Sequence, residues 1–146
     1  MGFFKSMNIS SSALAAQRMR MNILSANLAN ANTTRTPEGG PYRRQDVVFS
    51  AVPEGNEFED FLDEGYGTQL SKVKVVDVHQ DQKAPRKVHD PAHPDADKDG
   101  FVEMPNIQVM TEMVNMIAAT RAFEANTTAL NSAKQMAGTA LDIGRV

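Results

Sequence analysis

The sequence predicts a mainly α-helical protein whose N- and C-terminal helices pair as a coiled coil, with a small β-rich insert in the middle. Three observations predict it. All seven prolines lie between Pro37 and Pro105, which leaves the first 36 and the last 41 of 146 residues free of proline. Proline inside a helix removes a hydrogen bond and clashes with the preceding turn, at roughly 3 kcal/mol. Apolar residues recur every seven positions in both proline-free ends, and β-branched runs bounded by Gly and Pro fall between them. The boundaries that follow are 1–36 for the first helix, 37–104 for the insert and 105–146 for the second helix.

In the first segment Met7, Leu14, Met21 and Leu28 stand seven apart, with Ile9, Ala16 and Ile23 beside them and Leu24 and Ala31 widening the face. That is an amphipathic helix, with a cap expected among Ser10 to Ser12. Thr33-Thr34 and then Pro37-Glu38-Gly39-Gly40 end it near Asn32. Its span is roughly 35 Å.

The last segment starts at Met104-Pro105-Asn106, proline being suited to a first helical turn. Val109, Met116, Phe123, Leu130 and Ala137 form an unbroken seven-residue series, flanked by Met113, Ala133, Ala140 and Leu141. The helix can run to Ile143 and stop at Gly144, a length of about 60 Å. A second apolar patch, Met110, Val114 and Ile117, lies about a quarter-turn away, and two patches imply more than one neighbour.

Between the helices, Tyr42–Val52 and Val73–Val78 read as strands. Glu54 to Glu64 packs six acids into eleven residues and reads as a solvated loop. Pro85 to Pro105 is an extended, proline-punctuated run. Two helices and a few strands make a thin core, and a lone helical pair buries too little to offset its ordering entropy. The sustained apolar seams therefore imply burial against other chains, with ends that gain order in an assembly.

Charge is unevenly placed. Residues 1–37 carry four bases and no acid, residues 38–105 carry 15 acids against 8 bases, and residues 106–146 balance, for a net −3. Without a basic cluster there is no footprint for nucleic acid. The absence of cysteine excludes disulfides, thiol nucleophiles and cysteine-based zinc sites. No stretch reaches the roughly 20 apolar residues that span a bilayer, and Met1 to Ser12 lacks the apolar core of a secretory signal. The opening Met1-Gly2-Phe3-Phe4-Lys5-Ser6 fits a myristoylation pattern too short to carry weight. The acid-free start also resembles a transit peptide, but its heptad spacing runs straight into an Asn-rich motif that a discarded leader would not need.

Candidate chemistry is sparse. Asp95-Ala96-Asp97-Lys98-Asp99-Gly100 opens like a Ca²⁺-binding EF-hand loop, but the twelfth position is Asn106 after Pro105, where a bidentate Glu is required, so an Asp/Gly turn is the better reading. His89 and His93 have a zinc-ligand spacing, yet Pro91 and Pro94 forbid the regular helix that would align them. His79 reads as a surface residue beside a strand. There is no nucleophile elbow, phosphate loop or paired-carboxylate pattern. No cofactor, metal or small-molecule substrate is expected, and no enzyme.

Ser25-Ala26-Asn27-Leu28-Ala29-Asn30-Ala31-Asn32-Thr33 is less ordinary. Asn is a mediocre helix residue, and a frayed helix end explains Asn32 but not the spacing of Asn27 and Asn30. This run resembles the N-terminal signature of the bacterial flagellar axial proteins. His93-Pro94-Asp95-Ala96-Asp97-Lys98-Asp99-Gly100-Phe101-Val102-Glu103-Met104-Pro105-Asn106 is similar to a long motif of the basal-body rod proteins of that family. Glu112 to Ile117, Ala119 to Asn126, Tyr42-Arg43-Arg44 and Asp90-Pro91 extend the likeness over nearly the whole chain. His89, Phe101 and Phe123 stand where the family pattern has Tyr, and the 54–64 loop is unusually charged.

The resemblance implies a structural subunit of the proximal rod whose terminal helices pair in a coiled-coil inner domain and stack helically around an axial channel. It implies export through the flagellar type III apparatus without a cleaved signal peptide, and a place in the periplasm-spanning rod of the basal body. Its expected partners are copies of itself, other rod proteins, the rod-to-ring adaptor and the membrane ring protein. Leu14, Met21, Leu24 and Leu28 are then expected to pack against Val109, Met116, Phe123 and Leu130 within one subunit. Met110, Val114 and Ile117 are expected to face a neighbour, with Asn27, Asn30 and Asn32 at contacts between subunits. The competing expectation is a soluble coiled-coil adaptor that forms a discrete oligomer.

Overall fold

The computed structural model describes residues 3–53 and 71–144. The acidic run 54–64 lies outside them. Among the described residues the elements along the chain are α1 (Phe3–Ala29), β1 (Gln45–Pro53), β2 (Ser71–Gln80), β3 (Arg86–His89), β4 (Phe101–Met104) and α2 (Val109–Ile143). β1 pairs with β2, and β3 pairs with β4, as two separate two-stranded sheets.

Helix α1 begins well before the expected serine cap and runs through Ser10 to Ser12. The Ser12 hydroxyl donates to the Ile9 carbonyl at 2.7 Å and accepts the Val73 N–H at 3.2 Å. A serine can stay inside a helix when its hydroxyl is bonded back to the preceding turn. Here it also satisfies a donor of β2. At the other end, Asn30 takes over the helix terminus. Its side-chain amide donates to the Ala26 carbonyl at 2.9 Å, and its carbonyl oxygen accepts the Thr33 hydroxyl at 3.1 Å.

Helix α2 starts at Val109, a turn later than the sequence suggests. Phe101–Met104 is consumed by β4, paired antiparallel with β3 from Arg86↔Met104 to His89↔Phe101. Pro105 is buried just after the strand. The helix ends at Ile143, and Gly144 donates its N–H to the Ala140 carbonyl at 3.2 Å. The β3–β4 connection holds the EF-hand-like run. Gly100 turns at φ +75, where a Cβ would stand 3.1 Å from Pro91 Cγ and 3.3 Å from His89 Nε2. Only glycine fits that backbone without strain.

The chain divides into two compact units. One comprises residues 1–19, 49–76 and 119–146, and the other residues 20–48 and 77–118. Ala16 and Ala119 are buried in the first. Leu24, Ala31 and Val102 are buried in the second, together with two polar side chains, Asn27 and Glu112.

Candidate assembly site

The second unit is organised around those two polar groups. Asn27 is 0 % exposed and Glu112 is 1 % exposed. The Asn27 amide faces the backbone of Gln45 like a neighbouring strand. Its Nδ2 donates to the Gln45 carbonyl at 2.8 Å, and its Oδ1 accepts the Gln45 N–H at 3.0 Å. The second amide hydrogen reaches Glu112 Oε2 at 3.1 Å, and Oδ1 also accepts the Tyr42 hydroxyl at 3.1 Å. An asparagine amide offers two donors and two lone pairs, and all four are used.

Glu112 is held from its other oxygen. Arg44 Nε donates to Oε1 at 2.8 Å, and Arg44 also pairs with Asp46 at 3.1 Å. Burial by itself would lower the Arg44 pKa, but the hydrogen bonds and charges of Glu112 and Asp46 outweigh it and raise the guanidinium above its ordinary value. Burial pushes the Tyr42 phenol up, and the Glu112 charge adds to the shift. One node thus fastens the end of α1, the segment entering β1 and the first turn of α2, with residues 85 positions apart in direct contact.

This gives Asn27 a role other than the expected one. A side chain with no exposed surface cannot meet another subunit, and its hydrogen-bonding capacity is spent within the chain. Asn30 serves the helix end, and Asn32 is exposed. Sequence reasoning also left Arg44, Gln45, Tyr42 and Glu112 unassigned. A signal was present: Glu112 is the sole charged residue between Glu103 and Arg121. An acid so placed must find a donor or stay in water.

Because Glu112 turns inward, the outer side of the same helical turns is free of charge. Met110, Met113, Val114 and Ile117 are 73, 44, 62 and 55 % exposed at helical spacing. Val109, expected in the internal seam, is exposed as well. The other seam candidates lie deeper. Leu24 is buried, while Leu14, Met21, Leu28, Met116, Phe123 and Leu130 are half-buried.

Two aspartates of the EF-hand-like run have partners within the chain. Asp95 accepts the Thr34 hydroxyl at 2.8 Å, and Asp97 accepts the N–H groups that shape its turn. Among the described residues no three of His, Asp or Glu converge on a common metal position. A cleft of about 300 Å³ runs past Tyr42, Arg44, Lys83, Pro85 and Pro105. Its Arg44 is paired with Glu112 and Asp46, and its Lys83 lies 3.8 Å from Asp81. No helix among the described residues is long and apolar enough to cross a membrane.

Comparison with known families defines the class. Residues 7–35 match the model of the flagella basal body rod protein family, and residues 98–143 match that of the flagellar basal body rod FlgEFG protein C-terminal region. These ranges contain α1 from Met7 onward and all of α2. Among individual proteins, the flagellar basal-body rod protein FlgC of Borreliella burgdorferi is 45 % identical over 98 % of both chains. FlgC of Bacillus subtilis is 42 % identical over 97 % of this chain and 98 % of its own. FlgC of Salmonella typhimurium is 39 % identical over 94 and 95 %. The chain belongs to the FlgC family of flagellar basal-body rod proteins.

Proposed function

We propose that the chain is a structural, non-enzymatic subunit of the bacterial flagellar rod that polymerises through its terminal helices. The observation that carries this reading is relationship to rod proteins over nearly the full length of the chain, with α1 from Met7 onward and all of α2 inside the regions that match the family models. In the assembled rod the helices pair as a coiled coil. The seam residues Leu14, Met21, Leu24 and Leu28 of α1 and Met116, Phe123 and Leu130 of α2 line that coiled coil. The stripe Met110, Val114 and Ile117, joined by Val109, meets a neighbouring subunit. Its lack of charge supports that assignment, since an interface core is depleted of charged residues. Other rod proteins, the rod-to-ring adaptor, the membrane ring protein and the type III export apparatus are the remaining partners.

The stripe gives a test that separates assembly from folding. Ile117→Glu introduces a charge at an exposed position, so the isolated protein keeps its helical circular dichroism and melting temperature. In cells the same variant buries an unpaired carboxylate between subunits, and it is lost from detergent-extracted basal bodies together with motility. Retention of Ile117→Glu at the wild-type ratio to ring protein would remove the stripe from the interface. A wild-type chain found only as a discrete soluble oligomer would favour the adaptor reading.

A further inference from the structure

We propose that the buried contact between Asn27 and Glu112 is a register lock: it selects one alignment of α1 along α2 where the apolar seams by themselves accept several. The inference rests on the reading of the two helices as a coiled coil and names the residues that align it.

The seams repeat. Met7, Leu14, Met21 and Leu28 stand seven apart on α1, and Met116, Phe123 and Leu130 do so on α2, all of them half-buried. Sliding one helix along the other by one such interval, about 10 Å, sets apolar residues against apolar residues again. Hydrophobic contact is non-directional and discriminates weakly between these alignments. A polar residue in a coiled-coil seam specifies the register at a cost in stability.

The node has what such a device needs. Asn27 Nδ2 donates to Glu112 Oε2 at 3.1 Å, a buried bond that joins α1 to α2. Both partners are aimed beforehand: the amide is held by the Gln45 backbone and the Tyr42 hydroxyl, the carboxylate by Arg44. One interval to either side of Glu112 stand Pro105 and Ala119, neither with an acceptor side chain for that amide. One interval to either side of Asn27 stand Arg20 and Thr34. Thr34 lies beyond α1 and is bonded to Asp95. Arg20 would bring a second guanidinium to a carboxylate that Arg44 already holds, and would leave the Asn27 amide without its acceptor. Two further amides do not bridge the helices. Asn126 donates to the Ala122 carbonyl of its own helix, and Gln17 Oε1 is buried without a partner. A single register matters to an assembly, because copies that make equivalent contacts must present the same surface.

The test is a distance along the helices of the full chain. The chain has no cysteine, so Arg18→Cys and Lys134→Cys, at two exposed positions of the first unit, carry the only spin labels. Pulsed dipolar spectroscopy is expected to give one distance in this labelled parent. Adding Glu112→Leu with Arg44→Met, which removes the acceptor without orphaning the guanidinium, is expected to give a second distance, displaced by up to about 10 Å, with the helical circular dichroism retained. If that variant does not keep its helical signal, Glu112→Gln replaces it. Its neutral acceptor holds the amide less firmly, and a minority second distance is expected. One unshifted distance in the folded variant would overturn the lock while leaving the coiled coil in place. A labelled parent that is helical but shows no defined distance would overturn the pairing beneath it.

Discussion

Asn27 sets the terms at the residue scale, because one side chain with no exposed surface takes part in four hydrogen bonds. Its replacement by leucine keeps the volume roughly constant but strips the Gln45 backbone groups, the Tyr42 hydroxyl and one Glu112 oxygen of a partner. Unsatisfied buried groups cost about 1–3 kcal/mol each, so Asn27→Leu is expected to lower the urea midpoint severely or to prevent folding. The Arg44–Glu112 pair makes a subtler prediction. Glu112→Leu alone leaves Arg44 half-buried with only Asp46, at about 3 kcal/mol. Pairing it with Arg44→Met removes the orphaned charge, so the double variant is expected to be less destabilised than the sum of the singles. A double-mutant cycle by denaturant unfolding measures that difference.

Tyr42 adds a pH dependence whose sign is fixed. Burial and the Glu112 charge raise the phenol above its ordinary value of 10.0. Below that value the folded and unfolded chains both hold the proton. As pH rises past it the unfolded chain releases the proton first, and stability falls until the folded-state value is reached. In a Tyr66→Phe background, absorbance titration at alkaline pH is expected to show the Tyr42 phenol ionising late. Tyr42→Phe abolishes this part of the alkaline loss of stability.

The elements themselves were largely legible in the chain. Proline exclusion and seven-residue spacing are local rules, and both helices stand where these rules put them. The errors cluster at starts. Ser10 to Ser12 have the chemistry of a cap, but Ser12 bonds back to Ile9 and serves Val73, a partner 61 positions away. Met104-Pro105 has the chemistry of a first helical turn, but Met104 is already paired with Arg86 in the β3–β4 sheet. A local signal that two elements can use is decided by which of them finds a partner.

The β3–β4 element carries its own prediction. Gly100→Ala is strained by backbone conformation and by contact with Pro91 and His89. The expected loss is about 1–2 kcal/mol, read as a lower melting temperature with increased amide exchange across Val88 and Val102. The His89–Phe101 edge contact, with ring centroids 5.1 Å apart, should loosen with it.

At the scale of the whole molecule, few side chains among the described residues are buried, and a run of large apolar residues stays on the surface of α2. That balance suits a chain completed by its neighbours. It also separates two kinds of damage. Variants of the node, such as Asn27→Leu, are expected to lose folding and rod assembly together. Variants of the stripe, such as Ile117→Glu, lose assembly with folding intact. Comparing the melting temperature of each purified variant with its recovery in basal bodies distinguishes the two.

The sequence by itself determined the order helix, insert, helix, the limits of the proline-free ends and the family, because each depends on residues near one another in the chain. It also marked Asn27 as out of place in a helix and left Glu112 as the lone charge between Glu103 and Arg121. Tertiary structure decided what those two residues do. A side-chain amide and a carboxylate 85 positions apart recognise each other only after the chain has folded back. Until then nothing local says whether a polar group on an amphipathic helix faces a neighbour, the solvent or its own core. Here the inward turn of Glu112 settled both faces of α2, joining one to the node and leaving the other apolar and exposed.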